Sequence, residues 1–374
     1  MIERRFENED QSSLLDLLKS SYNGWHSTEY WMWKYKKNPH GLPLIWVAKD
    51  KRKIVGCYLL NPVKIRLGRV SILGAQSVDA AVDTAYRGAG IFKKLARTTI
   101  TQAEKEGIVV TFAFPTEIAY KGQVRIGYQP MFILPKMYKI FNVRRLLEEQ
   151  QYSKISLRKA SKILRLYEKT SRRRVCLVSN KTLVTKRINY FDSRFEVFWK
   201  KICEANTDIL IERDLAYLRW RYFENPEKSY TVYVCEDNGE VIGYSVLSVE
   251  KNTSNQKNEL AKISIGNIID FLTLPNLKHA SLHLIQHSLD YFERENVDIV
   301  RCWMFKKHPY YAILRKFGFS EYYELFRRAV FRPRYIEQFI LYVNSRADLR
   351  KALESKPAHT QLYWYIMQGD ADYT

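Results

Sequence analysis

The sequence predicts an α+β fold built twice in one chain. Two observations carry that prediction: the order of local patterns over the first 141 residues, and an internal repeat that returns much of the same pattern later. Ile2–Phe6 reads as a short strand. Gln11–Tyr22 reads as a helix, because Leu14, Leu15, Leu17 and Leu18 fall on one side of a 3.6-residue period. Thr28–Lys36 reads as an aromatic-faced helix that stops at Asn38-Pro39. Leu44–Ala48, Ile54–Leu60 and Val70–Val82 then read as an antiparallel meander turning at Lys51-Arg52-Lys53. A glycine-containing turn at Tyr86–Gly90 opens a helix to about Glu106, with Ile91, Phe92, Leu95, Ala96, Ile100 and Ala103 inward. Ile108–Phe114 is expected as a buried strand, Glu117–Ile126 as a short helix ending at Gly127, and Met131–Phe141 as one further strand. The order is β-α-α-β-β-β-α-β-α-β, an α+β layout.

Residues 30–60 superimpose on residues 217–247 without a gap, matching Tyr30/Tyr217, Trp33/Trp220, Tyr35/Tyr222, Asn38/Asn225, Pro39/Pro226, Gly56/Gly243 and Leu60/Leu247 at an offset of 187. Farther on, Asp79/Asp270, Val109/Val300, Tyr120/Tyr311 and Gly127/Gly318 match at an offset of 191. A repeat this long is a duplicated domain and not a solenoid unit. The expected division is a first domain at 1–145, a basic linker at 146–186 that could add the first domain's last strand, and a second domain at 187–374.

Composition sets outer bounds. At 46% hydrophobic and 27% charged over 374 residues, the chain is globular and long enough for two cores. No stretch approaches the ~18 apolar residues of a membrane span, and the start lacks a signal peptide's apolar core, so a cytoplasmic protein is expected. Five scattered cysteines argue against a disulfide framework or a zinc ribbon. The net charge is +21, and residues 144–190 hold 14 basic and 3 acidic side chains. Within them Leu157, Ala160, Ile163, Leu164 and Tyr167 lie at helical spacing among basic residues. Such a helix can pack on a neighbouring domain, lie on an anionic membrane surface or meet nucleic acid, in that order of expectation.

Chemistry concentrates where a strand hands over to a helix, at Val82-Asp83-Thr84-Ala85-Tyr86-Arg87-Gly88-Ala89-Gly90-Ile91. Helix starts leave backbone N–H groups unpaired, and glycines let a backbone approach a phosphate closely. Alone, Gly-x-Gly is equally a tight turn before a helix. With its surroundings, the stretch resembles the acetyl-CoA-binding motif of the GNAT N-acetyltransferase superfamily. The resemblance implies two tandem GNAT-like folds with mixed, mostly antiparallel sheets, and an acetyl-CoA site in the first copy only. It implies that Arg87, Gly88, Ala89, Gly90 and Ile91 meet the CoA pyrophosphate while the backbone at Ala81 and Val82 pairs with the pantetheine arm. The second copy reads Leu274-Pro275-Asn276-Leu277-Lys278 opposite this turn, without either glycine, and is expected to have lost CoA. The first copy departs from the family pattern at Phe92, at Thr84 and at Gln123, which stands where the family's acidic tyrosine usually lies.

Acyl transfer from a thioester to an amine needs a base, an oxyanion partner and a proton for the leaving thiolate. Glu117 is the candidate base and Tyr120 the candidate acid, at i,i+3 spacing, although a glutamate at a helix start also serves the dipole. Asp83, absent from the repeat, is a candidate substrate contact. Trp25, Trp31 and Trp33 are candidates to stack on a sugar, with core packing the simpler reading of Trp33. His279, His283 and His287 share a helix face but lack a completing ligand, so no metal is expected. The Thr374 carboxylate or Asp372 is a minor candidate base. The expected activity is acetyl-CoA-dependent N-acetyl transfer to a small primary amine, such as an amino sugar. A Fem-like aminoacyl transferase and a noncatalytic module with an anionic partner are the alternatives.

Overall fold

The computed structural model describes residues 1–22, 27–142, 145, 182–205, 208–251, 263–321, 336–344 and 364–371. In chain order the strands are β1 (Ile2–Arg5), β2 (Leu44–Asp50), β3 (Lys53–Leu67), β4 (Val70–Val82), β5 (Val110–Ala113), β6 (Gln129–Ile133), β7 (Lys136–Ile140), β8 (Leu183–Ile188), β9 (Ile209–Ile211), β10 (Thr231–Asp237), β11 (Glu240–Glu250), β12 (Ile265–Thr273), β13 (Ile299–Trp303) and β14 (Gln338–Val343). The helices are α1 (Gln11–Ser21), α2 (Thr28–Trp31), α3 (Ile91–Lys105), α4 (Glu117–Arg125), α5 (Arg194–Ala205), α6 (Leu215–Tyr222), α7 (Lys278–Arg294) and α8 (Pro309–Lys316). Those of the first 141 residues mostly follow the hydrophobic pattern that predicts them. In α1 the four leucines are buried, and in α3 Ile91, Leu95, Ala96, Ile100 and Ala103 are buried against the sheet. The aromatic helix does not run regularly to Lys36. After Trp31 it widens into a π-turn, Met32–Lys36, closed by the Lys37 amide on the Met32 carbonyl.

The chain forms two compact units, and they are not consecutive in sequence. The first comprises Met1–Leu134, Thr207–Lys228 and Tyr335–Trp364; the second comprises Pro135–Asn206, Ser229–Arg334 and Tyr365–Thr374. The first unit holds a sheet in the order β1-β2-β3-β4-β5-β14-β6, with β9 on the far end of β3. The second holds a sheet in the order β8-β10-β11-β12-β13-β7. Each sheet runs antiparallel except at one parallel pair, β4–β5 in the first and β12–β13 in the second. Beside each parallel pair sits a strand from the other half of the sequence, β14 next to β5 and β7 next to β13. The expected division at 145 and 187 therefore differs from the compact units. The single strand expected over Met131–Phe141 is two strands in different units, because Pro135 follows Leu134 and cannot donate to a continuing ladder. The basic helix expected over 157–169, Trp25, Cys176 and the terminal residues Asp372 and Thr374 lie outside the described residues.

The repeat has a physical centre within the first unit. The Trp33 indole N–H donates to the Trp220 carbonyl at 2.7 Å, the Trp220 indole N–H donates to the Trp33 carbonyl at 2.8 Å, and the two rings stack at 4.9 Å. Both indoles are buried with their donors satisfied, the requirement for placing tryptophan in a core. Trp31 and Trp33 are 0% and 2% exposed, so they are core residues and not a platform for a sugar. The repeat's register holds along β2, β3 and β4 but fails at Val109/Val300. The Val109 amide bonds the Leu73 carbonyl as the Asp298 amide bonds the Ser264 carbonyl, which makes Asp298 the counterpart of Val109.

His40 stacks flat on Tyr217 at 5.0 Å, and its Nδ1 accepts the Lys64 backbone N–H at 3.1 Å. Burial holds its pKa down at about 4 against the nearby Asp214 carboxylate, which favours the charged form. The unfolded chain takes up this proton below about pH 6.5, while the folded protein refuses it down to about pH 4. Stability should therefore fall as pH drops through that window, by up to about 3 kcal/mol from this group. Urea unfolding of the wild type and of His40→Gln at pH 7 and pH 4.5 checks this, and the variant should lose less between the two.

Candidate active site

The site begins with a fork in the first sheet. β4 and β5 pair only from Gly74 to Gln76 against Val110 to Phe112. Beyond Gln76, β4 runs on to Val82 with β3 on one side and, among the described residues, no strand on the other. Opposite Tyr58 the β3–β4 ladder bulges, and Asp79 takes a left-handed φ of 48°. The bulge is tied down on α1's side, where the Tyr22 hydroxyl donates to the Ala80 carbonyl at 2.8 Å. Lys34 reaches the Asp79 carboxylate at 2.6 Å, and the Tyr35 hydroxyl also donates to it.

From the end of β4 the chain turns through Thr84–Tyr86 into α3. Asp83 caps this turn by accepting the Ala85 N–H at 3.0 Å, and it pairs with Lys53 at 2.6 Å, which holds its carboxyl below the ordinary value. Tyr86 anchors the turn through its hydroxyl on Asp50 at 2.7 Å. Gly88 and Gly90 have φ of 87° and 75°, and a Cβ built on either meets nothing within 4 Å. These glycines are required by backbone conformation and not by crowding, and the space beside them is open. The first α3 residue whose N–H bonds back along the helix is Lys94, to Gly90 at 3.1 Å, so the amides before it point out of the helix start. Arg87, Gly88, Ala89 and Gly90 are exposed, Ala81 is buried and Val82 half-buried. The site residues expected for a cofactor thus lie contiguously, from the free edge of β4 around to the first turn of α3.

The proposed acid and base lie on α4. Thr116 caps that helix through its hydroxyl, Glu117 bonds Lys121 at 3.3 Å, and Tyr120 packs partly buried against the core beneath α3. The Glu117 carboxylate thus lies on the Lys121 side of the helix. His287 bonds the His283 carbonyl through Nδ1, and among the described residues no group of three or more His, Cys, Asp or Glu side chains is placed to hold a metal.

Sequence reading missed a buried polar chain at the crotch of the fork. Gln123 Nε2 donates to Ser77 Oγ at 3.0 Å, Ser77 Oγ donates to the Tyr58 hydroxyl at 2.9 Å, and the Tyr58 and Tyr128 hydroxyls lie 3.2 Å apart. Burial raises both phenol pKa values, that of Tyr128 strongly, so both remain protonated near neutrality. The available signal was the repeat itself, in which these positions change character.

The second unit closes the same fork. β12 and β13 pair over Ile265–Ile268, and β12 continues to Thr273. There the Tyr310 hydroxyl accepts the Thr273 N–H at 2.9 Å, and the Tyr365 hydroxyl donates to the Phe271 carbonyl. Ser281 on α7 bonds the Thr273 hydroxyl at 3.1 Å. The edge groups that stay unpaired by any strand in β4 are here bonded by side chains, and no glycine turn precedes the helix. Tyr310→Phe should strand the buried Thr273 N–H and lower stability by about 1–3 kcal/mol, read from the urea midpoint at unchanged slope.

Residues 3–131 match the model of the acetyltransferase (GNAT) domain. Solved structures similar in fold include a conserved protein from Enterococcus faecalis V583 named a probable N-acyltransferase, 12% identical with a TM-score of 0.60, the match covering 91% of this chain and 72% of that one. A GCN5-related N-acetyltransferase from Anabaena variabilis is 14% identical with a TM-score of 0.60 over the same shares. One from Kribbella flavida is 12% identical with a TM-score of 0.54, covering 91% and 71%. No curated protein matches the sequence significantly. The forked sheet and the glycine turn lie within residues 3–131, the stretch that is similar to the acetyltransferase (GNAT) domain.

Proposed function

We propose that the first unit transfers an acetyl group from acetyl-CoA to a primary amine. The observation that carries this reading is the continuity of a β4 edge that, among the described residues, no strand covers past Gln76 with a left-handed Gly88–Gly90 turn and the outward amides of α3. An extended arm can pair with such an edge as an added strand, and a diphosphate fits a helix start whose backbone is bare of Cβ atoms. On this reading the edge at Ala81 and Val82 holds the pantetheine arm. Gly88, Ala89, Gly90 and Ile91 present amides to the pyrophosphate, and the exposed Arg87 adds positive charge. The thioester supplies an acyl group already activated toward an amine.

The chain's own part is to orient the arm, strip a proton from the amine and return one to the thiolate. Glu117 takes the first proton, directly or through water, and Tyr120 is the candidate for the second. The acceptor is read as a small amine, with an amino sugar as the guiding example, in a cytoplasmic protein. The basic segment is assigned a peripheral contact with anionic membrane. Among the described residues no helix is long and apolar enough to cross a membrane.

Calorimetric titration of acetyl-CoA into the wild type and Gly88→Glu, at moderate and high salt, tests the donor site. Saturable binding at about one site per chain that the variant loses is expected, since the new carboxylate repels phosphates. Weak binding that salt abolishes in both proteins overturns the reading. Glu117→Gln should lower the rate most on the acid side of its profile, and full rate across about pH 6–9 would remove Glu117 as the base.

A further inference from the structure

The duplicated fold supplies a control for the buried polar chain. Leu60 pairs with Ser77 as Leu247 pairs with Ile268, so Ser77 corresponds to Ile268 and Tyr58 to Ser245. The Tyr128 amide bonds the Gln123 carbonyl as the Phe319 amide bonds the Leu314 carbonyl, so Gln123 corresponds to Leu314 and Tyr128 to Phe319. Thr111, paired with Ala75, corresponds to Val300, paired with Gly266. Apart from Ser245, the second unit is apolar at every one of these positions, and Ile268 and Leu314 line a small apolar cavity there. The fold therefore has no need of polar side chains at this place. Burying them carries a desolvation cost that hydrogen bonds only offset, and it is borne in the unit with the open fork and the glycine turn.

Position within the chain of hydrogen bonds separates the roles. Ser77 is the first β4 residue past the last pair with β5. It is also the most accessible member, 8% exposed against 0% for Tyr58, 2% for Tyr128 and 3% for Gln123.

We propose that Ser77, in place of Tyr120, is the catalytic residue that donates the proton to the leaving thiolate, with Tyr58 and Tyr128 as the hydroxyl relay behind it and Gln123 as the positioning residue that holds its oxygen. The proposal rests on the acetyl-transfer reading. As the amine nitrogen bonds to the acyl carbon, the carbon–sulfur bond breaks with its electron pair on sulfur. The Ser77 hydroxyl, which donates to the Tyr58 oxygen in the resting chain, turns to give its proton to sulfur, and its oxygen then takes the Tyr58 proton while the Tyr128 hydroxyl bonds the Tyr58 oxygen. The proton that Glu117 takes from the amine returns through water at the fork to restore the chain, so one proton passes from nitrogen to sulfur overall. A phenol behind the serine lets the transient charge rest on a phenolate, which is less basic than a serine alkoxide. Because burial keeps both phenols protonated, the relay is loaded at neutral pH.

A donor aimed at sulfur favours the thiolate, which gives a test free of any acceptor amine. The thiolate absorbance of CoA bound to the full chain is titrated against pH for the wild type, Ser77→Ala and Tyr58→Phe, with CoA affinity measured by calorimetry. The bound thiol should titrate about one pH unit below free CoA in the wild type. It should return to the free value in Ser77→Ala and part of the way in Tyr58→Phe, with affinity within about twofold throughout. A thiol that titrates alike in all three proteins overturns the proposal, as does a loss of affinity without any change in titration, which marks a packing role. A wild type that binds no CoA removes the acetyl-transfer reading itself, and the relay with it.

Discussion

The architecture of the first unit depends on how briefly β4 and β5 stay together. Three residues on each strand form the parallel pair, and past Gln76 the strands part. A strand edge that loses its neighbour inside a protein must find other partners for its N–H and C=O groups, because unpaired backbone groups away from water are costly. Everything that marks the site follows from that requirement. The bulge at Asp79 re-aims the free segment, Tyr22 and Lys34 fix the bulge, and the glycine turn carries the chain from the loose strand end into α3. The second unit meets the same constraint the other way. Tyrosine hydroxyls from α8 and from the C-terminal segment bond the edge of β12, and the turn into α7 has no glycine. One fold thus carries an edge that no strand covers among the described residues and an edge bonded by its own side chains.

The exchange of strands explains why the units are not consecutive in sequence. β7 follows β6 after a proline, yet it pairs with β13, and β14 comes from the second half to stand between β5 and β6. Each sheet therefore needs residues from both copies before its parallel pair is flanked. Within the first unit the reciprocal Trp33 and Trp220 bonds do similar work, since each indole satisfies the carbonyl of its own repeat-mate.

Much of this was legible in the sequence, for reasons that are local. The leucines of α1, the amphipathic face of α3 and the alternating strands of the meander are set by periods of 3.6 and 2, and the glycine turn is set by two residues that must take positive φ. What failed was non-local. Met131–Phe141 has the composition of one strand broken only by Pro135, and it is the pairing on either side of that proline that sends its halves to different sheets. Val109 and Val300 match as letters, while the hydrogen bonds at the start of β5 and β13 align Val109 with Asp298, because the turn and helix between are two residues shorter in the second copy. The helix at Thr28 widens at Met32 under tertiary contacts that no propensity scale contains. The π-turn places Lys34 and Tyr35, adjacent in sequence, on one carboxylate.

The polar chain at the fork was illegible for a further reason. Tyr58, Ser77, Gln123 and Tyr128 are ordinary residues in ordinary elements, and each alone reads as packing or as solvated surface. Their meaning comes from meeting in a place the fold fills with Ile268, Leu314 and Phe319 in its other copy. A duplicated domain separates two demands that a single domain confounds. What both copies keep, such as the paired tryptophans and the bulged strand beside each fork, is what the fold requires. A buried group that one copy keeps polar, beside an open edge, while the other makes it apolar beside a sealed one, answers to something other than stability, since the apolar set folds as well and avoids the desolvation. That asymmetry marks the fork more sharply than the glycine turn does, because glycines at a helix start serve any tight turn, whereas a line of buried hydroxyls that the other unit replaces with apolar side chains is not required by the fold.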